Sequence, residues 1–201
     1  MIRAVLFDFD GTLTRPGVID FAGMRSALGC AEGQPILEHV EQIANPAERE
    51  RADAILDAHE MAAAERSEPN DDAEETVHGL LEMGFPVSVL TRNCRRAIDR
   101  SLENFASLSV SRFTVLLTRD DVSRPKPDPE GALRAAREMN VPVESLLCVG
   151  DYVYDVELAR NAGCTSVYLS PSGDEPTIKP DYTIKRLGEV IRIVTAENRT
   201  D

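Results

Sequence analysis

The 201-residue sequence predicts an α/β fold, a doubly wound parallel sheet with a small helical segment inserted after its first strand. Three observations carry this expectation. From Phe85 onward, short apolar runs alternate with amphipathic helical stretches, the pattern of a parallel sheet covered by helices on both faces. Between Thr14 and Asp72 there is no strand-like run, only helical periodicity punctuated by Gly29, Gly33, Asn45 and Pro46. The apolar runs also stop abruptly at polar residues, as buried strands do where they run out at the edge of a sheet.

Taken in order, Val5-Leu6-Phe7 is a strand that ends in Asp8-Phe9-Asp10-Gly11-Thr12-Leu13. Residues i and i+2 of a strand point the same way, so Asp8 and Asp10 face one crevice. Two carboxylates that close need a cation, a proton or water between them. An acidic turn after a strand would leave the same tripeptide. Helices are expected over residues 20–28, 35–43 and 46–65. The third places Ala54, Ile55, Ala58, Met61 and Ala62 at helical spacing, with Glu48 and Arg51, or Arg49 and Asp53, able to pair on its wet face. Residues 69–72 form a junction, and the next helix carries Val77, Leu80 and Leu81 on one side and stops at Gly84.

A strand over residues 87–90 then ends at Thr91-Arg92-Asn93, a helix follows over 95–105, and 113–117 is the next strand. The loop Arg124-Pro125-Lys126-Pro127-Asp128-Pro129 opens a helix over 130–139. Residues 146–149 form a strand that stops at Gly150-Asp151; a helix runs through Asp155 to Ala162, and 166–169 is a last strong strand. The polar tail, residues 198–201, is expected to fray.

A net charge of −13 argues against nucleic acid or an anionic membrane surface as a partner, because the diffuse field repels phosphate backbones. A small phosphorylated ligand still binds where a metal and local cations reverse the sign. The four cysteines, Cys30, Cys94, Cys148 and Cys164, lack Cys-x-x-Cys spacing and read as reduced thiols. With no apolar leader before the first strand and no membrane-length apolar run, a soluble, cytoplasmic protein is expected.

In a doubly wound sheet the ligand lies beyond the carboxyl ends of the strands. The polar residues there are Asp8 and Asp10, Thr91 to Asn93, Arg124 and Lys126, and Asp151 with Asp155. Four carboxylates, a hydroxyl and cations at one rim suit a hard divalent cation with an anionic, oxygen-rich ligand.

These segments resemble, in order, the four motifs of the haloacid dehalogenase superfamily: Asp8-Phe9-Asp10-Gly11-Thr12, Val89-Leu90-Thr91-Arg92-Asn93, Lys126-Pro127-Asp128-Pro129 and Gly150-Asp151-Tyr152-Val153-Tyr154-Asp155. The helical insert resembles the cap of the phosphoglycolate phosphatase-like branch. The resemblance implies a Rossmann-like core of residues 1–14 and 73–201, a cap of residues 15–72, and a Mg²⁺-dependent phosphatase acting on a small phosphorylated metabolite. By the same resemblance, Asp8 is the nucleophile that becomes an aspartyl-phosphate, and Asp10 is the general acid and then the base. Asp8, the backbone carbonyl of Asp10 and Asp151 are metal ligands, with Asp155 acting through water or from behind them. Gly11, Thr12, Thr91, Arg92 and Asn93 surround the phosphoryl oxygens, and Lys126 neutralises developing charge. Arg124-Pro125 fits the third motif in a second register. Thr91 also reads as a helix cap, and Asp155 as an ordinary acid in the first turn of a helix. Tyr152 and Tyr154 are bulkier than the residues expected between the fourth-motif aspartates; they narrow the site or pack beside it.

Asp10 argues against a dehalogenase. The insert holds none of the three lysines (Lys126, Lys179 and Lys185), which argues against a Schiff-base-forming phosphonoacetaldehyde hydrolase. A phosphosugar mutase of the same family and a non-catalytic phosphometabolite sensor remain alternatives. Arg15, beside the hinge of the insert, is the first candidate among the cap cations to reach substrate. The oligomeric state is not written in the sequence.

Overall fold

A strand covered on both faces must be apolar along its whole length, and β1 (Ala4–Phe7) is so, all four residues being buried. It occupies the middle of a six-stranded parallel sheet of order β3-β2-β1-β4-β5-β6. The other strands are β2 (Val87–Leu90), β3 (Val115–Leu117), β4 (Leu146–Gly150), β5 (Thr165–Leu169) and β6 (Tyr182–Ile184). The computed structural model describes residues 1–199. β1 pairs with β2 through Val5 and Val87 and with β4 through Phe7 and Val149, so the chain order changes direction at β1. That switch opens a crevice at the carboxyl ends of the central strands.

Alternate residues of β1 enter two cores. Val5 and Phe7 pack with Val77 and Leu80 of α4 (Ala73–Glu82), Ile98 of α5 (Arg95–Leu102), and Val190 and Val194 of α8 (Glu189–Glu197). Ala4 and Leu6 pack with Ala132 and Ala135 of α6 (Glu130–Glu138) and with Leu158 and Ala159 of α7 (Val153–Ala162). Both faces of the sheet are thus closed, as the doubly wound expectation requires.

The inserted segment contains α1 (Phe21–Leu28), α2 (Ile36–Glu41) and α3 (Pro46–Ala64), packed around their own cluster of Met24, Ile36, Val40, Ala52 and Leu56. Local chemistry sets their ends. Asp20 accepts the Gly23 N–H before α1, and Gly29 closes it in the left-handed region at φ 65°. Asn45 accepts from Ala47 and Glu48 ahead of α3, with Pro46 opening its first turn. The segment leaves and returns side by side: Arg15 N–H donates to Glu68 O at 2.9 Å and Asn70 N–H to Leu13 O at 2.8 Å.

The structure departs from expectation in several places, α5 ending at Leu102 and α2 at Glu41, short of the expected residues 105 and 43. β3 starts at Val115, two residues late, because residues 110–112 form a single tight turn. β6 and α8 were not anticipated; β6 is a three-residue edge strand with Thr183 exposed, too short and too polar to announce itself. Asn198 does not fray, since its side chain accepts from Ile2 N–H and donates to Ile2 O, both at 2.9 Å. Thr200 and Asp201, the end of that tail, lie outside the described residues. No helix among the described residues is long and apolar enough to cross a membrane.

Replacing Asn198 with Ala removes both bonds to Ile2 and is expected to lower stability by about 1–2 kcal/mol, a fall in Tm of roughly 5 °C in thermal unfolding.

Candidate active site

The ladder between β1 and β4 carries one step beyond Phe7, with Asp8 N–H donating to Val149 O at 2.8 Å. The chain then turns sharply: Gly11 sits at φ 80°, and Thr14 N–H closes the turn on Phe9 O at 2.9 Å. Gly11 serves two purposes. Its φ is one that side-chain-bearing residues resist, and a Cβ there would stand 2.1 Å from Asp151 Oδ2. At the end of β4, a Cβ on Gly150 would stand 2.2 Å from the Asp155 carboxyl. Two missing side chains therefore let acids crowd the strand tips, and Asp8, Asp151 and Asp155 bring carboxylate oxygens within 4.8 Å of one another.

Lys126 is buried at 5% exposure, and its ammonium bonds to Asp8 and, at 2.7 Å, to Asp155. Arg124, the other register, points outward with its side chain 71% exposed and pairs with Asp128 at 3.0 Å. The structure thus brings Lys126 and not Arg124 to the strand tips. Asp10 faces the loop after β2, where Asn93 Nδ2 donates to it at 2.8 Å and Thr91 Oγ1 lies 3.5 Å away. Thr91 also accepts the Asn93 N–H at 3.1 Å. Thr12 is buried and donates to Asp151 at 3.2 Å. Asp155 accepts the Tyr152 N–H at 3.2 Å, so it fastens the first turn of α7 as well as Lys126.

Two expected residues are engaged elsewhere. Arg92 is gripped through both terminal nitrogens by Glu38 of α2, at 3.0 and 2.7 Å, bonds to Lys126 O, and lies over the Tyr154 ring at 5.0 Å. Tyr152 meets Tyr154 edge-on. Arg15 lies at the cavity rim, half exposed, with Asp71 at 3.0 Å and Glu68 at 3.8 Å.

The charge at the strand tips does not balance. Burial pushes the Asp8 carboxyl up to about 6, against the pull of Lys126 and with the push of Asp155. Burial, then Asp8 and Glu60, raise Asp10 to about 8. Burial with Asp8 and Asp155 raises Asp151 to about 7. Burial works against the Lys126 ammonium, yet Asp155 and Asp8 hold it above the ordinary lysine range. One lysine facing four acids leaves negative charge unmatched, and an all-oxygen donor set of Asp8, Asp151 and Asp155 fits a hard divalent cation.

Glu60 of α3, Arg119 after β3 and Asp57 escaped the sequence reading. Arg119 bonds to Glu60, whose Oε2 also accepts the Cys94 N–H at 2.8 Å, and reaches Asp57 at 2.5 Å. Its backbone N–H donates to Asn93 O at 3.1 Å. The inserted helix is thereby tied to the loop that carries Thr91 and Asn93. A helical face carrying Asp57 and Glu60 beside small alanines was the available signal, but it reads equally as a solvated face.

The model of the haloacid dehalogenase-like hydrolases matches residues 5–169. A validoxylamine A 7'-phosphate phosphatase of Streptomyces hygroscopicus subsp. limoneus is 30% identical over 207 residues, covering 94% of this chain and 96% of the relative. A pyrophosphatase of Halalkalibacterium halodurans is 27% identical over 217 residues, covering 98% of this chain and 99% of the relative. The crystal structure of a hydrolase from Pseudomonas syringae superposes with a TM-score of 0.74 at 22% identity, covering 96% of this chain and 98% of that one. The chain belongs to the haloacid dehalogenase-like hydrolase family. Within that family, relatives that match nearly the whole chain are named as phosphatases.

Glu60→Ala removes one of the two carboxylates on Arg119 and leaves the Cys94 N–H without its acceptor, and is expected to cost about 1–3 kcal/mol in urea unfolding. Asp57→Asn, at the more exposed end of the same cluster, is expected to cost less than about 1 kcal/mol.

Proposed function

We propose that the protein is a Mg²⁺-dependent phosphatase that hydrolyses a small phosphorylated metabolite through an aspartyl-phosphate on Asp8. Residues 1–14 and 73–201 form the catalytic core and residues 15–72 the cap. The observation that carries this reading is the convergence, at the tips of β1 and β4, of three carboxylates on one buried lysine, with Asp10 turned to the opposite loop. Relatives named as a validoxylamine A 7'-phosphate phosphatase, an N-acetylmuramic acid 6-phosphate phosphatase and a pyrophosphatase support it.

Asp8 attacks phosphorus through a carboxylate oxygen, and the bond from phosphorus to the ester oxygen breaks. Asp10, oriented by Asn93, gives its proton to the leaving oxygen. It then takes a proton from the water that attacks the aspartyl-phosphate, which returns Asp8 and releases inorganic phosphate. The Thr91 hydroxyl and the backbone amides of Gly11, Thr12, Arg92 and Asn93 hold the phosphoryl oxygens, and Lys126 draws off charge as it spreads onto them. Thr12 also orients Asp151. Asp8, Asp151 and the backbone carbonyl of Asp10 would hold Mg²⁺ with Asp155 behind them, and when bound it offsets the repulsion between the Asp8 carboxylate and a phosphate dianion.

Wild-type protein with Mg²⁺ is expected to release p-nitrophenol from p-nitrophenyl phosphate, and Asp8→Asn to release none; turnover by Asp8→Asn at the wild-type rate would remove Asp8 as the nucleophile. Asp10→Asn is expected to lower kcat by about 10²–10⁴. Removing metal with EDTA is expected to abolish turnover and added Mg²⁺ to restore it. By calorimetry, Asp151→Asn is expected to bind Mg²⁺ at least about tenfold more weakly.

A further inference from the structure

A cavity of about 400 Å³ rises from the carboxylates into the inserted segment. Its lower end is acidic, while its upper wall is built from Val18, Ile19, Phe21, Met24, Ile36 and Leu56. Phe21 and Tyr152 are among the few large apolar side chains left exposed, and both line this cavity. Exposed aromatics cost little where a ligand covers them.

The cations of the cavity are all engaged. Arg15 is paired with Asp71 and Glu68, and Arg92 is held by both oxygens of Glu38. Arg25 is turned into its own loop, donating to Ala31 O at 2.9 Å and to Gln34 O. Lys126 lies between Asp8 and Asp155. Glu60, beneath the apolar wall, adds a further acid. A carboxylate or second phosphate entering above the reacting phosphoryl group would therefore find no free positive partner among the described lining residues, and it would lose its hydration against apolar surface.

We infer that the phosphate ester hydrolysed here carries an uncharged, largely apolar leaving group, of the size and flatness of a single aromatic ring, seated against Phe21, Ile19 and Tyr152. This rests on the phosphatase reading and narrows it. On this reading Arg15 makes no anion contact to substrate, and the bisphosphate a phosphosugar mutase must hold finds no second anion site among the described lining residues.

The test compares benzyl phosphate with 2-phosphoglycolate, both esters of primary alcohols, and with pyrophosphate, each with Mg²⁺. Benzyl phosphate is expected to exceed both in kcat/KM by about 100-fold. Phe21→Ala, at an exposed position that does not support the fold, is expected to raise KM for benzyl phosphate about fivefold with kcat nearly constant, as loss of uniform binding does. Glu38→Gln frees Arg92 and is expected to narrow the preference over 2-phosphoglycolate by about tenfold. Turnover of 2-phosphoglycolate or pyrophosphate equal to or better than benzyl phosphate overturns the inference and leaves the phosphatase standing. Absence of turnover for every ester, p-nitrophenyl phosphate included, overturns both.

Discussion

The contact of Lys126 with Asp8 and Asp155 is the constraint around which the rest of the site is arranged. An ammonium with 5% exposure survives burial only where carboxylates surround it, and carboxylates so crowded survive only with an ammonium or metal among them. Each partner comes from a different part of the chain: the tip of β1, the loop before α6 and the first turn of α7. The sheet brings them together because β1 and β4 are neighbours, and Gly11 and Gly150 remove the side chains that would hold the acids apart. The charge that Lys126 leaves unmatched is what makes the site receptive to a divalent cation.

Much of this was legible in the sequence because the informative residues lie next to the strands that place them. A parallel strand buried on both faces reads as an unbroken apolar run, and Asp8, Thr91 and Asp151 each follow such a run within two residues. Lys126 is preferred to Arg124 in the sequence because it directly precedes the entry to α6, although both precede proline in the same loop; which side chain the loop turns inward is not recorded in that local pattern. Glu38, Glu60 and Arg119 were hidden for a related reason. Their partners lie 54 and 59 residues away, across the boundary between insert and core, where no local periodicity records the pairing. The terminal β6 and α8 were missed because an edge strand of three residues carries too little pattern.

Several contacts couple the inserted helices to the core, and two of them hold residues of the loop after β2. Glu38 reaches Arg92 from α2, while Glu60 reaches Arg119 and the Cys94 N–H from α3. Thr91 and Asn93, the groups that face Asp10, are the immediate chain neighbours of the residues so held. The insert therefore does more than roof the cavity: its carboxylates brace the loop that orients the acid opposite Asp8.

The adjacent entry and exit of the insert, joined by Arg15 to Glu68 and by Leu13 to Asn70, suggest a detachable module, since the core would close over its removal with little loop strain. Arg119 sets a condition on that exchange. Any replacement segment grafted between residues 14 and 69 must deliver a carboxylate to the place Glu60 or Asp57 now fills, or leave a guanidinium unpaired beneath it. Variation in the foot of α3 is thus coupled to a residue outside the insert, whereas the upper wall packs within it.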